Sequence, residues 1–233
     1  MKKIYITTLL FSAIITVQAE EESKKVSLTL GSDFVSSYVW RGAYQTGYSV
    51  QPSLGLEAGG LSLSAWGSSD IASVGFKEVD FTLGYSIAGL SIAITDYWWM
   101  GEGHQNYFRY QSKTSDHLFE GTIAYTLPLE KFPLSISCNT MFGGADYKLS
   151  GDRAYSTYIE LVYPFTISDT ELDVSVGMTP QDGLYASKTA LVNVGIGVSK
   201  TLKISESYSL PVFGRVMANP HSEDIYYVFG FSL

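Results

Sequence analysis

Apolar and polar residues alternate with a period of two along most of this chain, and helical periodicity is weak throughout. Leu172, Val174, Val176 and Met178 share one parity, and Asp173, Ser175, Gly177 and Thr179 take the other. Val192, Val194, Ile196 and Val198 likewise oppose Asn193, Gly195, Gly197 and Ser199, and Phe119, Ile123 and Tyr125 oppose Glu120, Thr122, Ala124 and Thr126. Successive strand residues point to opposite faces, so each such segment has one apolar face and one small, polar face. The pattern predicts about twelve strands, over 26–40, 47–58, 61–70, 77–87, 90–99, 116–127, 134–143, 154–165, 171–179, 190–202, 208–218 and 224–233. Most reach the roughly 9–11 residues that a tilted membrane strand requires. Strands of soluble domains average about 5–6.

The connections fall into two classes on opposite ends. Gly59-Gly60, Ala88-Gly89 and Ser168-Asp169-Thr170 are short, and 128–133 is the longest of that set. The segments after strands five, seven and nine, around 100–115, 144–153 and 180–188, are long. Short periplasmic turns and longer extracellular loops are the arrangement of outer-membrane barrels. The fold expected is therefore all-β: a single antiparallel transmembrane barrel of about twelve strands, with both termini on the periplasmic side. Parity alone does not say which face is inside; strand length, loop asymmetry and the C-terminal segment together put the apolar face toward lipid.

The two ends of the sequence agree. Residues 1–19 carry Lys2 and Lys3, an apolar run from Ile4 to Val17, and a small residue at Ala19. That is the form of a bacterial secretory signal, too short to span a membrane as a helix. It leaves 20–233 as the barrel domain. The final residues, "DIYYVFGFSL", alternate up to Leu233, with Ile225, Tyr227, Phe229 and Phe231 on one parity. This ending resembles the C-terminal signal read by the barrel-assembly machinery, and it supplies a last strand to close on the first, since an open sheet edge is not tolerated in hydrocarbon.

Composition narrows the function classes. Aromatic residues make up 14%, including 17 tyrosines, and charged residues only 16%, against about 25% charged for an ordinary globular domain. Without Lys2 and Lys3, 13 of the 15 basic residues stand against 23 acidic ones, a net charge of −10. That balance excludes nucleic acid as a partner. Cys138 is the only cysteine, so no intrachain disulfide exists.

The inward parity collects charge. Asp33, Glu57, Asp80, Glu120, Glu160, Asp173 and Asp224 are placed there with Arg41 and Arg215. Seven acids exceed two arginines, which predicts a wet, pore-lining surface rather than a dry interior. Aromatics near strand ends on the outward parity predict a girdle at the lipid boundaries. Tyr38, Trp40 and Trp98 stand toward the long loops, and Tyr85, Tyr125, Tyr163, Phe165 and Phe231 toward the short turns. Asp96 on the outward parity and Trp66 on the inward one break the pattern, as a one-residue bulge would.

The segment 32–70 resembles the opening hairpin of outer-membrane porins of the TorF type. The matching pieces are Tyr38-Val39-Trp40-Arg41-Gly42, Gln45-Thr46, Gln51-Pro52-Ser53 and Trp66-Gly67-Ser68. Trp40 stands where that family more often has Phe. The resemblance implies an outer-membrane barrel that acts as a pore.

The function expected is passive diffusion of small hydrophilic solutes or ions, with a preference for cations, in contact with outer-membrane lipid. A closed structural or recognition barrel acting through its loops is the alternative; the long loop bears Tyr107, Phe108, Arg109 and Tyr110 with Trp99 beside it, suited either to a binding surface or to a constriction in the mouth. A lipid-modifying enzyme is the third class, and it needs a His and a Ser two residues apart on one strand face. His117 has Phe119 at that position, His221 and Ser222 are adjacent and so diverge, and the three histidines, His104 included, read as surface residues. No motif implies a cofactor or a metal.

Overall fold

The computed structural model describes residues 26–71, 77–100, 106–111, 113–129 and 132–233. The signal segment 1–19 and His104 lie outside the described residues. The described residues form fourteen strands: β1 (Val26–Val35), β2 (Tyr38–Trp40), β3 (Ala43–Thr46), β4 (Ser49–Ala58), β5 (Leu61–Asp70), β6 (Lys77–Ile87), β7 (Leu90–Met100), β8 (His117–Thr126), β9 (Ser135–Gly144), β10 (Thr157–Ile167), β11 (Thr170–Thr179), β12 (Ala190–Lys203), β13 (Ser209–Asn219) and β14 (Asp224–Ser232). Twelve of them, all but β2 and β3, pair antiparallel with their neighbours and close into one barrel.

Burial settles which parity faces in. Leu28, Leu30, Leu54, Leu56, Leu63, Leu83, Ile92 and Ile94 are exposed on the outer wall, while Asp33, Asp80, Glu120, Asp173 and Ser175 are buried inside. An exposed apolar band of this extent marks a surface made for something other than water. Toward the short turns the inward positions are small and half-buried, as at Ser62, Ser64, Thr82, Ser91, Ala93 and Ser137. Toward the long loops the interior is filled. Tyr97, Leu118 and Met141 form one buried cluster with Trp40 and Trp99 against it, and Tyr158, Ala186 and Val192 form a second with Tyr185.

Besides a register shift between β8 and β9 at Phe119/Glu120, two features depart from the alternation. The first strand, expected over 26–40, leaves the wall after Val35. Ser36 still bonds to the β14 backbone, its N–H donating to the Phe229 carbonyl at 2.9 Å, and Ser37 Oγ donates to the Tyr227 carbonyl at 3.3 Å. The chain then turns into the lumen as the β2–β3 hairpin, with Trp40 paired to Ala43 around the two-residue turn Arg41-Gly42. Both turn residues have positive φ, 51° and 77°, the condition for the tight hairpin turn that matches strand twist. The second departure is at Val192, expected on the outer face. The β11–β12 register shifts so that Gly177 meets Asn193 and Met178 meets Leu191. Val192 is the extra residue of that bulge and packs inside against Tyr158.

The seam that closes the barrel is short. β1 and β14 share only Asp33↔Ser232, Phe34↔Phe231 and Val35↔Gly230, with Ser32 and Leu233 exchanging both backbone bonds below them. Phe34 and Phe231 stack at 4.9 Å across it. Deleting Phe231–Leu233 removes most of this contact. The truncated chain is expected to be exported but to yield no heat-modifiable barrel in membranes; normal levels of a band that shifts on heating would contradict this closure.

Candidate functional site

The candidate site is the hairpin that crosses the outer half of the lumen. Gly42 sits at its tip, where a Cβ would fall 1.9 Å from the Val192 carbonyl oxygen on the far wall. Only glycine fits that approach, and it also suits the positive φ. Asn219 Nδ2 donates to the Gly42 carbonyl at 3.0 Å and ties the tip to β13.

Arg41 anchors the hairpin. Its guanidinium forms a two-pronged pair with Glu120 on β8, Nη2 to Oε1 at 2.8 Å and Nη1 to Oε2. Nη1 also donates to the Tyr185 hydroxyl. The guanidinium carbon lies 4.6 Å from the Trp40 ring centroid and 4.8 Å from that of Tyr158, within cation–π range. Tyr97 donates its hydroxyl to Glu120 Oε1 at 2.9 Å, completing the carboxylate's shell. The Arg41 side chain is 12% exposed and that of Glu120 1%. Tyr185 reaches in from the 180–189 connection, and burial holds its phenol protonated well above the ordinary range.

The remaining pore-lining candidates divide. Arg215 Nη2 donates to both carboxylate oxygens of Asp173, at 2.7 and 2.8 Å. Asp33 accepts from Ser232 Oγ at 2.7 Å beside the seam, and Glu160 accepts from the Tyr158 hydroxyl at 2.8 Å. Asp80 is buried and makes no ion pair with a described residue. Glu57, near the short turns, and Asp224, at the opposite rim, are exposed. Glu78 was not among the expected residues; it precedes Asp80 by two, shares its parity, and is 1% exposed without an ion-pair partner among the described residues.

Two girdle assignments need correction. Tyr38 and Trp40 were placed on the outer wall, but both turn inward with the hairpin. Tyr38 packs on Trp66 at 5.5 Å, and Trp40 meets Tyr97, Tyr185 and Trp99 at 5.6, 5.7 and 6.0 Å. That contact explains why Trp66 faces in without a bulge. Tyr85 and Tyr125 are exposed on the outer wall near the short turns. Tyr163 stacks between Phe132 and Phe165 at 5.0 and 6.0 Å. Trp98 lies on the outer wall but is covered by Tyr107, edge-on at 5.1 Å.

That cover overturns the reading of His117 as a surface residue. Its side chain is fully buried on the outer wall. Nδ1 bonds to Asp96 at 2.6 Å and Nε2 to the Tyr107 carbonyl at 2.5 Å, and the Tyr110 ring stacks on it at 4.4 Å. Asp96 is thus outward because it holds His117. The described part of the long loop, 106–111, is therefore held against the wall and is not the constriction. Both imidazole nitrogens are engaged, so neither is left to activate a nucleophile.

No family model matches the chain, the TorF-type porins included, and no curated protein sequence does. Three mutant forms of the Rh. blastica porin resemble it in structure. Two are 14% identical with a TM-score of 0.43, and the third is 15% identical at 0.42; each comparison covers 89% of this chain and 73% of the porin. The architecture of this chain stands on its own strand pairing.

The anchor sets two expectations. Arg41→Ala leaves the Glu120 carboxylate buried without its partner, which costs about 3–5 kcal/mol. Arg41→Met with Glu120→Gln removes both charges and should recover most of that loss, read from urea unfolding in lipid–detergent. Gly42→Ala should unseat the hairpin and leave the wall intact. Amide exchange over 38–46 then rises while β5–β8 stay protected; unchanged exchange over 38–46 would refute the close approach at Val192.

Proposed function

We propose that the chain is a bacterial outer-membrane barrel that passes small hydrophilic solutes, preferentially cations, through a lumen narrowed by the β2–β3 hairpin. The observation that carries this reading is the contrast between its faces. An apolar wall surrounds a closed sheet whose interior is small and polar at one end and crossed by a single anchored hairpin at the other. Eight-stranded barrels are filled by side chains and 16–18-stranded ones leave wide channels. Twelve strands with an inserted hairpin suit a restricted path.

The acid excess supports the cation preference. Arg41 and Arg215 are committed to Glu120 and Asp173, so the more exposed Glu57 and Glu160 keep the interior negative. In a narrow channel with low-dielectric walls such charge concentrates counter-ions. The filling of the outer half favours a second reading, a barrel closed at rest.

Planar-bilayer recording separates the two. Wild type is expected to give small steps, and replacing 38–46 by a short Gly-Ser link should enlarge them severalfold. Silence from wild type with conduction from the shortened chain would mean the hairpin is a full plug, and silence from both would end the channel reading. Across a KCl gradient, Glu57→Gln with Glu160→Gln should move the reversal potential toward the non-selective value. The wild-type preference should weaken between 0.1 M and 1 M salt, as the screening length falls from about 10 Å to about 3 Å. A chloride preference in wild type would refute the cation assignment.

A further inference from the structure

The inward turn of the chain at Ser36 that makes the hairpin also leaves a gap in the wall. β14 from Asp224 to Phe229 pairs with β13 alone, because β1 accompanies it only from Gly230 to Ser232. Above Val35 the seam is carried by two bonds between Ser36 and Phe229 and one from the Ser37 hydroxyl to the Tyr227 carbonyl. Beside this unpaired edge lies a cavity of about 260 Å³.

Ile225, Tyr227 and Phe229 form its outer lip, on the same parity as the apolar outer wall, with Ile225 and Tyr227 over 70% exposed at 73% and 71%. Tyr44 and Tyr48 approach from the hairpin side, and Tyr44 lies near-parallel to the inward-facing Tyr226 at 6.3 Å. Ser36 and Ser37 complete the lining, with Ser37 Oγ donating to the Tyr227 carbonyl and Ser36 Oγ accepting from the Phe229 N–H. No charged side chain among the described residues lines it. Four tyrosines and a phenylalanine offer ring faces with hydroxyls at their tips, which suits an apolar body with a polar end. At about 260 Å³ the half-open space is large enough for a single substituted ring or a short alkyl chain.

We propose that the β1–β14 seam is a lateral binding site for a small, uncharged, largely apolar solute, taken from the surrounding lipid rather than through the mouth of the barrel. This rests on the reading of the chain as membrane-embedded, though not on whether it conducts. The outer lip is continuous with the apolar wall and borders the edge of β14 that β1 leaves unpaired.

The test is photolabelling of the full protein in phosphatidylcholine nanodiscs with 3-trifluoromethyl-3-phenyldiazirine, mapped by mass spectrometry, with phenol as competitor. Labelling at Tyr44, Tyr48 and Tyr227 should saturate and be lost with excess phenol, whereas that at Leu63 and Ile94 on the bare wall should rise linearly and be insensitive. Ser37→Phe places a ring in the lining and should reduce seam labelling to the level of the bare wall, in protein whose band still shifts on heating. Seam labelling that is linear and insensitive to phenol would show lipid chains in the gap and overturn the site. Equal seam labelling in Ser37→Phe would overturn it too. Absence of labelling at Leu63 and Ile94 would refute the membrane reading itself, and the lateral site with it.

Discussion

The structure depends on one constraint: a sheet whose outer face is apolar must satisfy its backbone hydrogen bonds within itself. Twelve antiparallel strands meet it by closing, and the alternation of side chains follows, because closure fixes one parity outward along every strand. The tight two-residue turns, the long strands and the small inward residues all serve that closure. Where it is least complete, between β1 and β14, the molecule departs furthest from a plain barrel.

The departure exchanges one set of interactions for another. Continued upward, the register of β1 on β14 would set Tyr38 against Tyr227 and Trp40 against Ile225. The chain gives up those ladder bonds and takes Trp40 and Arg41 into the lumen. What offsets the loss is concentrated at one anchor: a two-pronged ion pair, cation–π contacts to Trp40 and Tyr158, and a tip that fits only because Gly42 has no side chain. A buried ion pair adds little net stability over apolar residues of the same volume, but breaking it is expensive. Such an anchor fixes where the hairpin sits more than it strengthens the fold.

Much of the wall was legible in the sequence, because period-two alternation and turn residues act locally. Most wall strands begin and end within a few residues of where the alternation places them, and the inward parity of Asp33, Asp80, Glu120 and Asp173 follows from it. The site was less legible, because its determinants are distant in sequence. Tyr38, Val39 and Trp40 are as strand-prone as Phe34 and Val35, so nothing in alternation ends the strand at Val35. Arg41-Gly42 was the available signal, a turn pair between Trp40 and Ala43-Tyr44. His117 escaped for a similar reason: its partners Asp96 and Tyr107 sit on another strand and a loop, and only the misplaced polarity of Asp96 hinted at them. Val192 was misplaced because a single extra residue shifts the register without leaving a compositional trace.

The lumen and the wall are therefore not independent features. Residues 36–48 form a single connection between β1 and β4, and its length is fixed. Every residue committed to the hairpin is withdrawn from the seam, so the constriction in the mouth and the gap beside β14 have the same origin. The same coupling accounts for the aromatic content of this stretch. Tyr38 and Trp40 fill the lumen against Trp66 and Tyr97, while Tyr44 and Tyr48 line the gap. The polar residues that join them, Ser36, Ser37 and Thr46, hold the connection to both neighbours, bonding to the β14 backbone on one side and to Asp70 of β5 on the other. A connection that only closed a barrel would need neither the buried arginine nor the exposed tyrosines; both are explained by a chain segment that lies between the barrel interior and its apolar outer wall.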